Sequence, residues 1–417
     1  MGQGDIMSTL TKINSDDDNY YDFILPRVII GNRGDLLSRY GIIQLLKTLS
    51  SRICVFCKSE QDLLDLGVPC LKYRKFHNFF MSRAQKRALK RTGIVVWGAG
   101  LDMQDESGLF KLLYLIFWFT YYRALNKKVV VLCQGAGPLE SGIAKFLASI
   151  VIKKTDLIVA RDSQSYKLLR SINHKKVIES ASDGIFLGKI DFASIEKKER
   201  EYIDSMFLRK ELSVGFNIRL WYHLKSGLLP YQFSRKSSLR RAAPLMEKLV
   251  DSSSRLIDNL LEKHNCSVFL ISAYQPGEYT SEDDMIWLDM IRKKSDNEKI
   301  ILIKEKMSLL AYLYLMSKLD LMIGVRLHSA LTAVRLNVPS INLSYTLKGK
   351  SIFSDMGLSE YVFELSEFIK DPFIIADKVA AMLSNLESEK LKFKQISNDI
   401  VKKNSEIIKA CMQEVME

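Results

Sequence analysis

Short β-branched runs, each followed by a stretch of helical periodicity, recur along almost the whole chain and constrain its fold more tightly than composition does. RVII (27–30), RICVF (52–56), IVVW (94–97), KVVVLC (128–133) and DLIVA (156–160) occupy the first half. Runs that are apolar on both faces belong to strands covered by helices on each side, the environment of a parallel sheet. After the first run, Leu36, Tyr40, Ile43 and Leu46 repeat at helical spacing and predict one buried helix face. Beyond Asp183 the pattern weakens through IDFASIEKKEREYIDSMFLRKE, whose charges of both signs suit a linker or a bridging helix. A second series then begins: LSVGFNI (212–218), SVFLIS (267–272), KIILI (299–303), DLMIG (320–324) and VPSINLSY (338–345).

The fold class is therefore α/β, two Rossmann-like doubly wound domains facing across a cleft, a layout similar to the GT-B glycosyltransferases. A flexible tail is predicted at 1–22, the first domain at 23–190, a linker at 191–210, the second domain at 211–370 and a helical tail at 371–417. At 417 residues the chain is long enough to give each domain its own core.

Apolar residues at 47% and charged residues at 26% exclude a disordered or fibrous chain. Lysine and arginine number 61 against 48 acidic residues, a net charge of +13. Polyanions, anionic lipid surfaces and anionic small substrates all suit that balance. Cys54 and Cys57 form one C-x-x-C with no second pair near it, so no metal site is expected. The six cysteines read as buried thiols of a reducing compartment. The longest apolar run, LLYLIFWFTYY (112–122), is 11 residues and too short to span a bilayer.

In open parallel sheets, ligands bind beyond the carboxyl ends of the strands, where helix amino ends offer free N–H groups to anions. GNRGD (31–35), GAGLD (98–102) and QGAGPLES (134–141) stand at such places, and none is the G-x-G-x-x-G dinucleotide fingerprint. Their glycines equally suit plain tight turns. RDSQS (161–165) offers Asp162 or Ser163 as a helix cap and Arg161 either to solvent or to the cleft. The second domain supplies NIR (217–219) and GVRLH (324–328). Arginine forks match carboxylate and phosphate oxygens, and a histidine beside a helix amino end exchanges protons near neutral pH, although a capping or core role for His328 is the plain alternative.

Taken in order, GNRGD, VVWGAG, QGAGPLES, VARDSQS, SASDG, GFNIR and GVRLHSALTAVRLNVPSINLSYTLKGK resemble the polysaccharide pyruvyl transferase family across residues 25–365. Two departures are Ala99 in a glycine-rich turn and Gly184 where proline is common. The resemblance implies transfer of a pyruvyl group from phosphoenolpyruvate, a co-substrate, with no cofactor, onto a sugar of a cell-surface polysaccharide or its lipid-linked precursor. The product is a cyclic ketal and phosphate is released. Protonation of the enol and deprotonation of the attacking hydroxyl are both needed; His328 is the candidate acid or base, and Asp35 a candidate for activating the sugar hydroxyl. Arg326, Arg219, Arg161 and Lys348 are expected to hold the donor anion, with Asn32, Gly98, Gly100 and Gln134 lining the site. A nucleotide-sugar glycosyltransferase of the same layout and a non-catalytic scaffold in glycan assembly are the alternatives.

KYRKFHNFFMSRAQKRALKR (72–91) carries eight basic and no acidic residues, interleaved with aromatics, and an aromatic-rich helix follows it. Basic and aromatic residues together suit an anionic membrane interface, so a cytoplasmic protein peripheral to the inner membrane face is expected; the alternative is a helix buried against the sheet and a basic run that is a solvated loop. No recognition motif for nucleic acid accompanies the segment.

Overall fold

A computed structural model describes residues 20–29, 31–57, 66–73, 81–105, 108–208, 211–220, 235–274 and 284–417. The first half alternates β1 (Tyr21–Leu25), α1 (Arg33–Leu46), β2 (Ile53–Cys57), β3 (Cys70–Lys72), α2 (Arg83–Lys90), β4 (Thr92–Gly98), α3 (Phe110–Ala124), β5 (Lys128–Gln134), α4 (Gly142–Lys153), β6 (Leu157–Ala160), α5 (Ser163–Ile172) and β7 (Ile178–Ser180). α6 (Lys197–Met206) bridges to β8 (Leu212–Asn217), α7 (Arg235–Lys263), β9 (Cys266–Leu270), α8 (Met285–Lys293), β10 (Ile300–Leu302), α9 (Leu309–Ser317), β11 (Leu321–Gly324), α10 (Leu327–Arg335), β12 (Ser340–Ser344), α11 (Leu347–Asp355) and β13 (Val362–Glu364). α12 (Leu365–Lys370), α13 (Ala376–Ser384) and the 31-residue α14 (Leu386–Met416) follow.

The strands form two parallel sheets, seven strands in the order β3-β2-β1-β4-β5-β6-β7 and six in the order β10-β9-β8-β11-β12-β13. In each, the order reverses beside the first strand, at β1/β4 and at β8/β11, which is where a doubly wound sheet opens a crevice.

Three differences from the sequence reading have plain causes. The first strand is YDFIL, not RVII: Pro26 has no N–H to give the ladder, so the strand ends before it and Arg27 lies in the following loop. The first domain accordingly starts by Tyr21, inside the segment expected as tail, whose residues 1–19 lie outside the described residues. β3, β7 and β13 were missed because each is a three-residue edge strand, too short to show a period.

α1 is buried on nearly every side rather than on one face. Phe23, Leu25, Ile94, Val96, Val130 and Leu132 pack beneath it from the first sheet, and α9, α10 and the turn Gly184–Phe186 cover its other side. One apolar core therefore runs through both domains. Each fully buried aliphatic there, such as Ile42 or Ile43, stabilises by about 1.5–3 kcal/mol. The opposite face of the first sheet carries a separate core, with Val95, Trp97, Val129 and Val131 packed under α2, α3 and α4.

The linker helix α6 is fastened to the second domain. Glu199 accepts from both the backbone N–H and the hydroxyl of Ser308 at 2.7 Å, just before α9. α14 returns to the first domain, where Asn404 bonds the loop after β7 and Lys128 reaches the Val415 carbonyl.

Candidate functional site

The amino end of α1 is where the domains meet. The Asn32 side chain caps the helix, accepting from the N–H groups of Gly34 at 3.0 Å and Asp35 at 3.3 Å. Asn32 also forms a backbone bridge with Tyr274, and the Arg33 N–H donates to the Ala273 carbonyl at 3.0 Å. The first turn of a first-domain helix is thus joined to the loop after β9. Gly34 lies at the closest approach: a Cβ there would sit 2.3 Å from the Cβ of His328. The glycine of N-x-G-D is required by the neighbouring domain, not by its own turn.

His328 stands in the first turn of α10, between Gly34 and the carboxylate of Asp183, with its Nε2 3.5 Å from Asp183 Oδ2. Asp183 is fully buried. It also accepts from the Ser38 hydroxyl, from Arg161 Nη1 at 3.3 Å and from the Ile185 N–H at 3.1 Å. Burial pushes its carboxyl up, but His328, Arg161 and Ser38 outweigh that and hold it well below the ordinary carboxylate range. Asp183 is therefore an anion at neutral pH. Behind it, the Ser182 N–H donates to Asn404 Oδ1 at 2.6 Å and Asn404 Nδ2 donates to the Asp183 carbonyl at 3.4 Å. Arg335, on the same helix as His328, donates to the carbonyls of Ile185 at 3.2 Å and Gly188 at 2.8 Å. α1, α10 and α14 thus hold the Asp183 loop from three sides.

Arg161 is buried with its guanidinium on Asp183 and not in solvent; a Cβ at Gly135 would meet it at 2.8 Å. The cap of α5 is Asp162, which accepts from the Ser165 N–H at 2.7 Å. Gln134 is buried beside these groups, and its Oε1 has no hydrogen-bond partner among the described residues. Burial pushes the neighbouring Cys133 thiol well above its ordinary value, and Asp183 adds to the effect.

A second cluster lies at the carboxyl end of the second sheet. Arg326 presents Nε and Nη2 to the two oxygens of Asp284, each at 2.6 Å, and its guanidinium stacks on the Tyr274 ring at 4.5 Å. Complete burial pushes the Asp284 carboxyl up while the Arg326 fork opposes it. Burial outweighs the fork, so the carboxyl lies above its ordinary value. The Arg326 N–H donates to Asn217 Oδ1 at 3.1 Å, and Arg219 stacks on Tyr345 at 4.9 Å. Neither α10 nor α11 has a side-chain cap, so two adjacent helix amino ends face the end of this sheet with their first N–H groups.

Asp35 belongs to a third group. Arg27 Nε donates to Asp102 at 2.8 Å, and its Nη2 lies 3.5 Å from Asp35. Burial works against the Arg27 charge, yet Asp102 and Asp35 outweigh it and hold the guanidinium above its ordinary value. A Cβ at Gly100, whose φ is +88°, would strike Arg27 at 2.2 Å, and Ala99 before it also takes a left-handed φ of 66°. Gly98 instead allows Ile42 to pack against the end of β4, within 2.6 Å of where its Cβ would lie.

Of the residues expected from sequence, His328, Arg161 and Gln134 gather around the Asp183 loop, Arg326 and Arg219 around Asp284, and Asp35 and Gly100 around Arg27, while Asn32 bridges to Tyr274 beside Arg326. Lys348 lies in α11, but its side chain is outside the described residues. Asp183, Ser38, Asp284, Arg27, Asp102 and Asn404 were missed. Asp183 stood in plain view in SASDG, a polar residue just past a strand, whereas Asp284 is one of several acids in a charged stretch and carries no signal. No cluster of possible metal ligands occurs among the described residues. The cysteines are all free, four buried and two, Cys70 and Cys411, half-buried.

Two parallel doubly wound sheets with their carboxyl ends meeting at a shared crevice define a protein of GT-B type. The solved structures of similar architecture include the UDP-GlcNAc 2-epimerase from Neisseria meningitidis bound to UDP-GlcNAc, with a TM-score of 0.56 and 13% identity over 94% of this chain and all of that one. The epimerase from Methanocaldococcus jannaschii gives 0.53 and 14% over 82% and 88% of the two chains. Anabaena HepE in complex with UDP and glucose gives 0.53 and 9% over 94% and 100%. These likenesses define the fold alone. Residues 32–346 match the polysaccharide pyruvyl transferase family, and the chain belongs to it. It is also 21% identical over 274 residues to the amylovoran biosynthesis protein AmsJ of Erwinia amylovora, a match spanning 63% of this chain and 59% of AmsJ.

Proposed function

We propose that this chain transfers the pyruvyl group of phosphoenolpyruvate onto two hydroxyls of a glycan sugar. A proton adds to the methylene carbon of the enol, and one hydroxyl oxygen bonds to the adjacent carbon. The second hydroxyl then displaces phosphate from that carbon, leaving a cyclic ketal with a methyl and a carboxylate. Both hydroxyl protons are lost and one is gained by carbon, so a group that gives and takes protons is needed. The observation that carries the reading is His328 set against an anionic Asp183 at the domain junction. The carboxylate orients the ring, as a charged orienting group does in other acid-base pairs. Arg326, Arg219 and the open amino ends of α10 and α11 favour a donor with two anionic groups.

The test is incubation with phosphoenolpyruvate and a panel of free and lipid-linked glycosides carrying vicinal or 4,6-diols. Expected are release of inorganic phosphate and a pyruvyl mass increment on the glycan. His328→Ala that keeps substantial turnover at saturating donor removes the proton-transfer role. The fold shared with HepE, solved with UDP and glucose, supports a second reading, sugar transfer from a nucleotide. In that case UDP, not phosphate, is released from the corresponding donor.

A further inference from the structure

We infer that the α2–α3–α4 layer of the first domain is a docking face for an anionic lipid bilayer. These three helices carry eight basic residues, Arg83, Lys86, Arg87, Lys90, Lys111, Arg123, Lys145 and Lys153, and no acidic one. All eight are exposed; Arg123 is paired to Asp156 and Lys111 donates to the Leu101 carbonyl at 3.4 Å. Within that basic rim sits an apolar patch. Phe110, Leu113 and Phe117 recur on one stripe of α3 with exposures of 40%, 48% and 52%, while Ile143 and Phe146 on the adjoining α4 are each 64% exposed. The opposite stripe of α3, with Leu112, Leu115, Trp118, Phe119 and Tyr122, is what the sheet buries. The outward aromatics are thus additional to those the fold needs.

Charge complementarity selects the occupant. An apolar stripe flanked by these eight cations, with exposed Glu140 and half-buried Asp105 at the amino end of α4 as neighbouring acids, still presents a cationic excess that suits the boundary between acyl chains and anionic headgroups. In a parallel sheet the helices begin at the carboxyl ends of the strands, so Phe110, Leu113, Ile143 and Phe146, near the amino ends of α3 and α4, lie toward the carboxyl end of the sheet, where the crevice opens. Docking there brings the crevice mouth to the bilayer surface. No helix among the described residues is long and apolar enough to cross a membrane.

Flotation of the full chain with phosphatidylcholine vesicles, with and without phosphatidylglycerol, tests the assignment. The chain is expected to float with the phosphatidylglycerol vesicles and to be released by salt. A Phe117→Ser/Phe146→Ser variant should partition about ten-fold less, and Lys86→Glu/Lys145→Glu should lose the preference for phosphatidylglycerol. Because these side chains lie outside the site, phosphate release with a water-soluble acceptor serves as the folding control. Amide hydrogen exchange of the unaltered chain gives an independent reading, with vesicle-induced protection expected at 110–117 and 143–146. Absence of flotation, equal flotation of the Phe variant, or a patch-dependent dimer that ignores vesicles each overturns the proposal, the last by assigning the face to a second copy.

Discussion

Gly34 and His328 are in contact across the domain boundary so closely that a Cβ on the glycine would lie 2.3 Å from the Cβ of the histidine. Neither atom can swing away, since each is fixed to a helix backbone. Gly34→Ala is therefore expected to force α1 and α10 apart, with a loss of about 1–3 kcal/mol in stability. Turnover should fall further than donor affinity, because the histidine moves relative to Asp183. Urea unfolding and steady-state phosphate release check both.

Asp183→Asn removes the negative charge opposite His328 and Arg161 while keeping the volume. Turnover should drop about 100-fold or more if the carboxylate positions a proton-transferring ring. The pH dependence of stability gives a second signature. The folded carboxyl titrates well below the unfolded one, near 3.8, so its contribution is full above that value and is lost as pH falls towards the folded pKa. Acid unfolding of the Asn variant should be shallower below about pH 4.

Arg326 has a structural partner, so its loss alone is ambiguous. Arg326→Ala leaves Asp284 buried without its fork and should cost about 3–5 kcal/mol. Arg326→Met combined with Asp284→Leu should recover most of that stability. If Arg326 also binds the donor, the double variant stays unable to use phosphoenolpyruvate; a double variant with normal donor KM assigns Arg326 to the fold.

Asn404→Ala, far along α14, should destabilise by about 1–3 kcal/mol through the unpaired Ser182 N–H and Asp183 carbonyl. It should lower turnover although both of its hydrogen bonds go to the loop after β7. Thermal unfolding and phosphate release measured on the same preparation separate the two effects.

The strands were legible because parallel strands covered on both sides must be apolar throughout, and the crevice was legible because ligands sit where such strands end. Arg326 and His328 were found by that logic, as polar residues at a strand end. α1 misled for the opposite reason: its apolar spacing describes one face, yet a helix between two domains buries Arg33, Ser38 and Arg39 as well, and periodicity has no sign for that. Asp284 and Asn404 remained hidden because their partners lie 42 and 222 positions away, and only folding brings them together.

The Asn404 contacts also govern the order in which the protein can be finished. Ser182 and its loop leave the ribosome 222 residues before the side chain that satisfies them. At about 5–20 residues per second that is a wait of roughly ten to forty-five seconds. During it the first sheet can assemble, but the loop bearing Asp183 lacks Asn404 throughout and lacks His328 for about the first two thirds. The chain is thus expected to complete the His328–Asp183 contact late in synthesis, when the second domain has docked and α14 has come back across it.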